Sequence, residues 1–402
     1  MKKIKGGITA AEGYQVAGIS CGIKKSGKKD LALIYSEYPA LGAAVFTKNK
    51  FKAAPLIISE ERIKNDTIRA ILINSGNANA CTGQQGLDDV KKLTSIIAKK
   101  LEIDSNEIHM SSTGIIGELL PTNKIEKGIE KIIPLLNKDA NLDASEAILT
   151  TDTVKKEIAF SFKLPSSSKE VKIGGMAKGS GMIHPNMATM LGFITTDLNI
   201  SKELLSKALR EVVNCSFNRI SVDGDQSTND SVFLMANARA DNEKIVKEDE
   251  DYQIFVEILK EVSVYLAKAI VADGEGATRF ITINVSGART ELEAEEIARN
   301  IANSNLVKTA CFGGDPNWGR IIAVLGTSEF DFDIKKVSLS INDKCLFENG
   351  TPIAQKKEDM GDLMTSKEIE INLDLAMGNE KVEFWSTDLT YDYVKINAEY
   401  HT

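Results

Sequence analysis

The sequence is poor in histidine, and its cysteines do not form a metal-binding or disulfide pattern. Its 402 residues include only His109, His184 and His401, and the five cysteines never form a CxxC pair. Ser-His and Cys-His hydrolases need a histidine base, and zinc sites combine closely spaced histidines and cysteines. These absences weigh against both kinds of enzyme, predict no bound metal and indicate a reduced, cytoplasmic protein.

Long apolar runs and an excess of positive charge are also absent. No run of about 18 apolar residues occurs, which predicts no membrane span, and no apolar region follows the lysines at the N-terminus, so we expect no signal peptide. The formal net charge of −8 argues against a general nucleic-acid or anionic-membrane surface. A composition with 43% hydrophobic and 26% charged residues is typical of a globular protein, and the length predicts more than one lobe.

Strand and helix patterns are mixed along the chain. The short apolar run Ile71–Ile73 predicts a buried strand that opens into a loop of small polar residues. Further strands are expected at 157–163, 170–174, 191–195, 281–285, 337–341, 369–375 and 382–384. Helices are expected at 87–101, 124–136, 252–271, after Ser201 and after Thr290. Because no regular βαβ rhythm is present, the pattern predicts a layered α+β fold.

The dipeptide Ala188-Thr189 follows a stretch rich in glycine, residues 174–187. A threonine held by such a loop could attack the carbonyl of the preceding alanine. Cleavage there would leave Thr189 with a free α-amine, whose pKa of about 7.7–8.0 lets it accept the hydroxyl proton near neutral pH. The residues alone also allow a plain glycine-rich connector followed by a buried threonine.

Two nucleotide-binding motifs can be excluded within this stretch. Gly179-Ser180-Gly181 continues without the third glycine of a dinucleotide fingerprint. Lys178-Gly179-Ser180 has the wrong residue order for a phosphate-binding Walker loop. His184 lies five residues before Thr189 and is either a base or a structural loop residue.

A nucleophile also needs donors for an oxyanion and a group that orients the substrate. Thr113-Gly114 could supply a hydroxyl and a backbone N–H, or could be a turn that leads into a helix. Lys178 could place a cation near the reacting carbonyl, or could lie in solvent. Polar clusters at 150–153, 223–230, 273–278 and 312–320 are each compatible with turn chemistry alone.

Taken together, these blocks resemble one family. Lys178–Leu191 is similar to the self-cleavage segment of the ornithine acetyltransferases, also called glutamate N-acetyltransferases. Other blocks match that family in its order along the chain, namely Asn74–Gly83, Ser112–Gly114, Thr150–Thr153, Asp273–Thr278 and Asp315–Arg320.

The resemblance implies self-cleavage between Ala188 and Thr189 into chains 1–188 and 189–402, which stay associated, typically as α2β2. It implies an α/β/β/α-type sandwich with a smaller α+β lobe at about 286–402. Thr189 would pass the acetyl group of N2-acetyl-L-ornithine to L-glutamate, with Thr113 and Gly114 as the oxyanion hole. The substrate contacts implied by the family are Thr150, Lys178, Thr189, Glu275, Asn397 and Thr402.

Several alternatives remain open at this level. The sequence implies no cofactor, but leaves open whether acetyl-CoA is a second acetyl donor. An amidase or aminopeptidase would use the same nucleophile with water as the acceptor. An uncleaved small-molecule-binding protein would keep the glycine loop as structure only. Because Thr402 is the last residue, we expect deletion of Tyr400–Thr402 to reduce turnover and to spare self-cleavage.

Overall fold

The computed structural model describes residues 1–184, 190–354 and 362–399. Its strands are β1 Lys2–Lys3, β2 Tyr14–Ile19, β3 Leu31–Phe46, β4 Thr67–Asn77, β5 Ile108–Ile115, β6 Lys156–Lys163, β7 Glu170–Lys178, β8 Leu191–Thr196, β9 Ile220–Ser221, β10 Ser231–Ala236, β11 Phe280–Ala288, β12 Ser338–Ile341, β13 Lys344–Glu348, β14 Thr351–Pro352, β15 Glu368–Asp374 and β16 Glu380–Thr387. Its α-helices are α1 Ala54–Arg62, α2 Gly83–Leu101, α3 Thr122–Ile132, α4 Asn141–Ala147, α5 Lys202–Asn214, α6 Glu250–Ala272, α7 Glu291–Asn303, α8 Asn305–Gly313, α9 Trp318–Leu325 and α10 Tyr391–Glu399.

The long strand β3 joins the two halves of the larger sheet. Its first part, Leu31–Tyr35, pairs with β2 and β4, and its last part, Leu41–Phe46, pairs with β10. The register shifts between Tyr35 and Ala40, and such an irregularity bends a strand and increases its twist. The strand order β1-β6-β7-β8-β10-β3-β4-β5 therefore runs continuously through both halves.

Three apolar clusters show how the halves are layered. One cluster contains residues of both halves, such as Ile34 and Ile71 together with Phe193 and Phe233, so the two halves face each other. The outer face of the half formed by β2, β3, β4 and β5 packs against α2 and α3. The outer face of the half formed by β6, β7, β8 and β10 packs against α5 and α6. The order helix, sheet, sheet, helix confirms the predicted layered α+β class.

The second sheet belongs to the C-terminal part of the chain. Its order is β14-β13-β12-β15-β11-β16-β9, and it has its own apolar cluster beneath α7, α8 and α9. The short strand β9 comes from much earlier in the chain and pairs with β16, so it ties this lobe to the sandwich. Division of the chain at residue 188 and a lobe boundary near residue 286 stay predictions.

Most of the elements expected from periodicity are confirmed, and so are two helix starts. The Ser201 side chain accepts a hydrogen bond from Leu204 N, and the Thr290 side chain accepts one from Glu293 N, as helix caps do. The Glu293 carboxylate, however, accepts from Arg289 N, one residue before the position that a capping box uses. Within the described part of the chain, no helix is long and apolar enough to cross a membrane.

Candidate active site

The ends of the parallel strands β4 and β5 place Thr113 and Gly114 at an edge of the sheet. Gly76 on β4 is in register with Gly114, and Gly114 has a φ of 135°. A Cβ atom at Gly114 would lie 2.3 Å from the carbonyl carbon of Gly76, so only glycine fits. The Gly114 backbone is thereby held where its amide and the neighbouring Thr113 hydroxyl can serve one site.

Lys178 ends β7 and is 4% exposed. Its Nζ donates to Thr150 Oγ1 at 2.9 Å and to Thr113 Oγ1 at 3.4 Å. Burial lowers the pKa of this amine, while the charge of Asp152 opposes that effect. Since both threonine oxygens accept from the lysine, both hydroxyl protons are left to point toward a ligand.

Glu275 and Asn397 meet at another wall of the same site. Asn397 Nδ2 donates to Glu275 Oε2 at 2.8 Å, which connects α10 to the loop after α6. Glu275 N donates to Ser180 O at 2.9 Å. A Cβ at Gly181 would lie 2.3 Å from the Glu275 carboxyl carbon, so this glycine lets the glutamate lie against the glycine-rich stretch.

The predicted residues that the structure describes line one cavity of about 140 Å³. They are Thr113, Gly114, Thr150, Lys178, Glu275 and Asn397. We call this cavity the amino-acid pocket. It has the Lys178 cation and the Glu275 carboxylate among its walls, and it also includes Ser227, Thr228 and Asn229, which the sequence marked only as part of a polar run. Ala188, Thr189 and Thr402 lie outside the described residues.

A buried charge network behind Lys178 was not anticipated from the sequence. The Asp152 carboxylate accepts from Lys156 Nζ at 2.7 Å and from Gly179 N at 2.7 Å, and Lys156 Nζ also donates to Asp273 at 2.5 Å. Burial alone would raise the pKa of Asp152, but Lys178 and Lys156 lower it to about 2. This network holds the backbone next to Lys178. It also gives a structural role to the polar clusters at 150–153 and 273–278, which contain Asp152 and Asp273.

Asp230 is a second buried carboxyl near the predicted junction. It is 1% exposed and immediately precedes β10, whose Ser231 N donates to Met190 O at 3.2 Å. Burial raises the pKa of Asp230 well above its usual range, against the opposing effects of the Met190 backbone and the Lys178 charge. The carboxyl therefore lies beside Met190, the residue that follows Thr189 in the sequence. The sequence marked Asp230 as part of the polar run 223–230, but it did not show that this carboxyl is buried.

His184 is involved in a structural contact. Its Nδ1 lies 3.1 Å from Asn303 Nδ2, and burial lowers the pKa of the imidazole. Among the residues that the structure describes, no group of three or more His, Cys, Asp or Glu side chains could hold a metal ion.

Comparison with known proteins identifies the family. The ArgJ family matches residues 15–402. The chain is 46% identical over 406 residues to the arginine biosynthesis bifunctional protein ArgJ of Caldanaerobacter subterraneus, with 100% of both chains covered. It is 45% identical to the protein of the same name from Bacillus subtilis, covering 100% of this chain and 98% of that one.

A solved structure agrees with these relatives. The crystal structure of the arginine biosynthesis bifunctional protein ArgJ from Bacillus halodurans has a TM-score of 0.51 and 42% sequence identity, and covers 53% of this chain and 100% of that chain. The matched residues take in every block on which the sequence resemblance depends. The chain therefore belongs to the ArgJ family and is an acyltransferase of arginine biosynthesis.

Proposed function

We propose that the protein transfers the acetyl group of N2-acetyl-L-ornithine to L-glutamate through an acetyl-Thr189 intermediate. The observation that carries this proposal is the amino-acid pocket, where six residues from four separate sequence blocks and from α10 meet around one small cavity. Its volume suits an amino acid. Its two opposite charges suit a substrate that has both a carboxylate and an ammonium group.

The first half-reaction forms the acyl-enzyme. Thr189 Oγ attacks the acetyl carbonyl carbon while the Thr189 α-amine takes the hydroxyl proton. The Thr113 hydroxyl and the Gly114 N–H donate to the oxyanion, which supports this step because such donors are worth about 3–4 kcal/mol each. The C–N bond then breaks, and the proton passes to the leaving amine of ornithine.

The second half-reaction returns the enzyme to its starting state. The amine of glutamate attacks the acetyl ester, the C–O bond breaks, and Thr189 Oγ regains a proton. In both steps Lys178 attracts the α-carboxylate of the bound amino acid, and Glu275 attracts the side-chain ammonium of ornithine. Two amino acids that share a backbone can thus use one pocket in turn.

The mature enzyme forms by self-cleavage at Ala188-Thr189, because the α-amine is free only after that bond is cut. Both chains contribute to the amino-acid pocket, Thr113, Thr150 and Lys178 from the first and Glu275 and Asn397 from the second. We propose that the two chains stay together as α2β2 in the cytoplasm, with no cofactor, no bound metal, and no nucleic-acid or membrane partner. The family resemblance adds Thr402 as a further expected substrate contact.

A labelled acetyl donor tests the reaction. Protein incubated with N2-[acetyl-13C]acetylornithine and glutamate should yield labelled N-acetylglutamate, followed by NMR. Label in free acetate alone would show an amidase or aminopeptidase that uses water. Deleting Tyr400–Thr402 should reduce transfer and leave cleavage complete.

A denaturing gel tests self-cleavage. Two bands of nearly equal size are expected, since the junction lies near the middle of the chain. A single full-length band after prolonged maturation would instead favour an uncleaved binding protein.

A further inference from the structure

Three residues of the amino-acid pocket take no part in the proposed reaction. They are Ser227, Thr228 and Asn229, which line the pocket and are 5%, 7% and 5% exposed. They come shortly before β10 in the sequence, and cleavage at Ala188-Thr189 would place them in the second chain. Polar side chains that are this deeply buried in a binding site are normally matched to a partner.

Hydrogen bonds from the connection between β3 and α1 fix the backbone of this segment. Thr47 Oγ1 donates to Ser227 O at 3.0 Å, and Ala53 N donates to Thr228 O at 2.9 Å. Asn229 N donates to Ser227 Oγ at 3.0 Å, a local turn contact that closes the segment on itself. Thr228 and Asn229 are thus positioned without a ligand, and binding loses less conformational entropy.

The orientation of the Asn229 side-chain amide follows from the two atoms next to its nitrogen. Nδ2 donates to Ala78 O at 2.7 Å and to Ser112 O at 2.8 Å. Both of these are carbonyl oxygens, which only accept, so the atom between them must be the NH2 group. Both hydrogens of that group are used, and Oδ1 is the atom left to face Thr228.

The hydroxyl proton of Thr228 is committed to Asn229. Thr228 Oγ1 lies 2.6 Å from Asn229 Oδ1, and an amide oxygen has no hydrogen to donate, so the hydroxyl is the donor. A hydroxyl has one proton and two lone pairs. The Thr228 oxygen therefore offers only lone pairs to a ligand in the amino-acid pocket.

Thr113 and Thr150 have the opposite arrangement. Lys178 Nζ donates to the oxygens of both residues, so their hydroxyl protons remain available to a ligand. The pocket thus has hydrogen-bond donors beside Lys178 and an acceptor at Thr228. N2-acetylornithine and glutamate share an α-carboxylate, which needs donors, and an α-nitrogen with N–H, which needs an acceptor.

We propose that Thr228 Oγ1 accepts a hydrogen bond from the α-nitrogen of the bound amino acid, the atom that loses the acetyl group in ornithine and gains it in glutamate. This inference rests on the proposed function and deepens it, because it assigns a residue to the part that both substrates share. In N2-acetylornithine the donor is the amide N–H, and in glutamate it is the α-amine. Thr228 orients the nitrogen and forms no covalent bond.

The committed proton also matters when glutamate attacks the acetyl ester. An amine attacks through its lone pair, and a freely rotating hydroxyl would donate to that lone pair and block it. Because Asn229 Oδ1 holds the Thr228 proton, the oxygen only accepts an N–H, and the nitrogen lone pair stays free to face the acetyl carbon. An ester-linked acetyl donor would lack this contact, since an oxygen replaces its N–H.

A matched pair of acetyl donors tests the proposal. One is N2-acetylornithine and the other is 2-acetoxy-5-aminopentanoate, in which an ester oxygen replaces the N–H and every other group is kept. The self-cleaved protein is compared with Thr228→Val and Thr228→Ser by kcat/KM for each donor and for glutamate. Thr151→Val is the matched control because Thr151 lines the same pocket. A denaturing gel checks that every variant has matured.

Thr228→Val should lower kcat/KM for acetylornithine and for glutamate about tenfold, as expected for one buried hydrogen bond, and change that for the ester donor by less than about twofold. Thr228→Ser keeps the oxygen and its donation to Asn229, so all three values should stay within about threefold. Thr151→Val should change both donors alike. If Thr228→Val does not mature, Thr228→Cys takes its place, because sulfur is a weak acceptor.

Three outcomes would overturn the inference. Equal losses with the amide and the ester donor would show that Thr228 acts only by holding Asn229. A loss in Thr228→Ser as large as in Thr228→Val would show that the oxygen is not what matters. The same selective loss of the amide donor in Thr151→Val would place the acceptor elsewhere. Absence of acetyl transfer from acetylornithine in the unmodified protein would instead reject the proposed function.

Discussion

The amino-acid pocket adjoins a larger cavity of about 500 Å³, which is lined by Lys24, Lys25, Lys28 and Lys124 and which we call the lysine cavity. The two cavities share Thr150 in their walls but differ in charge, size and construction. The pocket combines Lys178 with Glu275 and is small, whereas the lysine cavity is several times larger and carries mainly positive charge. Lys178 is held by buried hydrogen bonds, and the loop lysines are placed by one carboxylate, Asp30, beneath them. The amino-acid pocket therefore presents both signs of charge to a ligand, whereas the lysine cavity presents mainly one.

The glycine pair Gly76 and Gly114 makes this arrangement possible. Side chains there would fill the wall between the two sites, as the close approach of a Cβ to backbone atoms shows at Gly114. Variants can therefore be sorted by whether they affect the chemistry at Thr189 or the recognition of a ligand in one cavity.

Loss of the nucleophile should have the largest effect. Thr189→Ala removes the hydroxyl that, in the proposed function, cleaves the chain and carries the acetyl group, so we expect one uncleaved chain and no acetyl transfer from acetylornithine. Thr189→Ser keeps a hydroxyl and should still cleave. The measurement is a denaturing gel together with the transfer assay, and cleavage of the alanine variant at 188 would contradict intramolecular attack by this residue.

Loss of an oxyanion donor should be next in size. Thr113→Val removes the hydroxyl but keeps a similar shape, and we expect kcat for acetyl transfer from acetylornithine to fall about 100-fold. Steady-state kinetics would measure this. A change confined to KM would mean that the hydroxyl binds substrate equally in the ground and transition states.

Neutralising Glu275 should separate the two amino-acid substrates. Glu275→Gln removes the charge that attracts the ornithine ammonium in the proposed function, and we expect the KM for acetylornithine to rise about tenfold while the KM for glutamate, which has no side-chain ammonium, does not rise. Glu118→Gln is the matched control in the lysine cavity and should leave the KM for acetylornithine unchanged. Equal increases of both KM values in Glu275→Gln would refute the assignment of Glu275 to the ornithine ammonium.

Much of the fold was predictable because local patterns are strong. The apolar period of α2, the cap at Ser201 and the alternation in β11 each depend on residues close in sequence. The long strand β3 was missed because its bend and its two sets of partners depend on contacts far along the chain.

The fold brings six of the predicted site residues together around one cavity. The sequence did not reveal the buried charge network behind them. Asp152, Lys156 and Asp273 are separated by as many as 121 positions, and their burial is visible only in the folded chain. In the same way, Asp30 is an ordinary acidic residue in the sequence. Only the folded loop shows four amides directed at its carboxylate.

The sequence by itself determined the family, the predicted cleavage junction and the residue types of the amino-acid pocket, because these depend on the identity and order of residues in short blocks. The tertiary structure decided which charges are buried and which cavities adjoin. It placed Lys178 out of water beside Thr113, and it set the lysine cavity on the other side of Gly76. The physical reason is that burial and proximity, which set the pKa of a side chain and the charge of a cavity, arise from packing between segments that are distant in the chain.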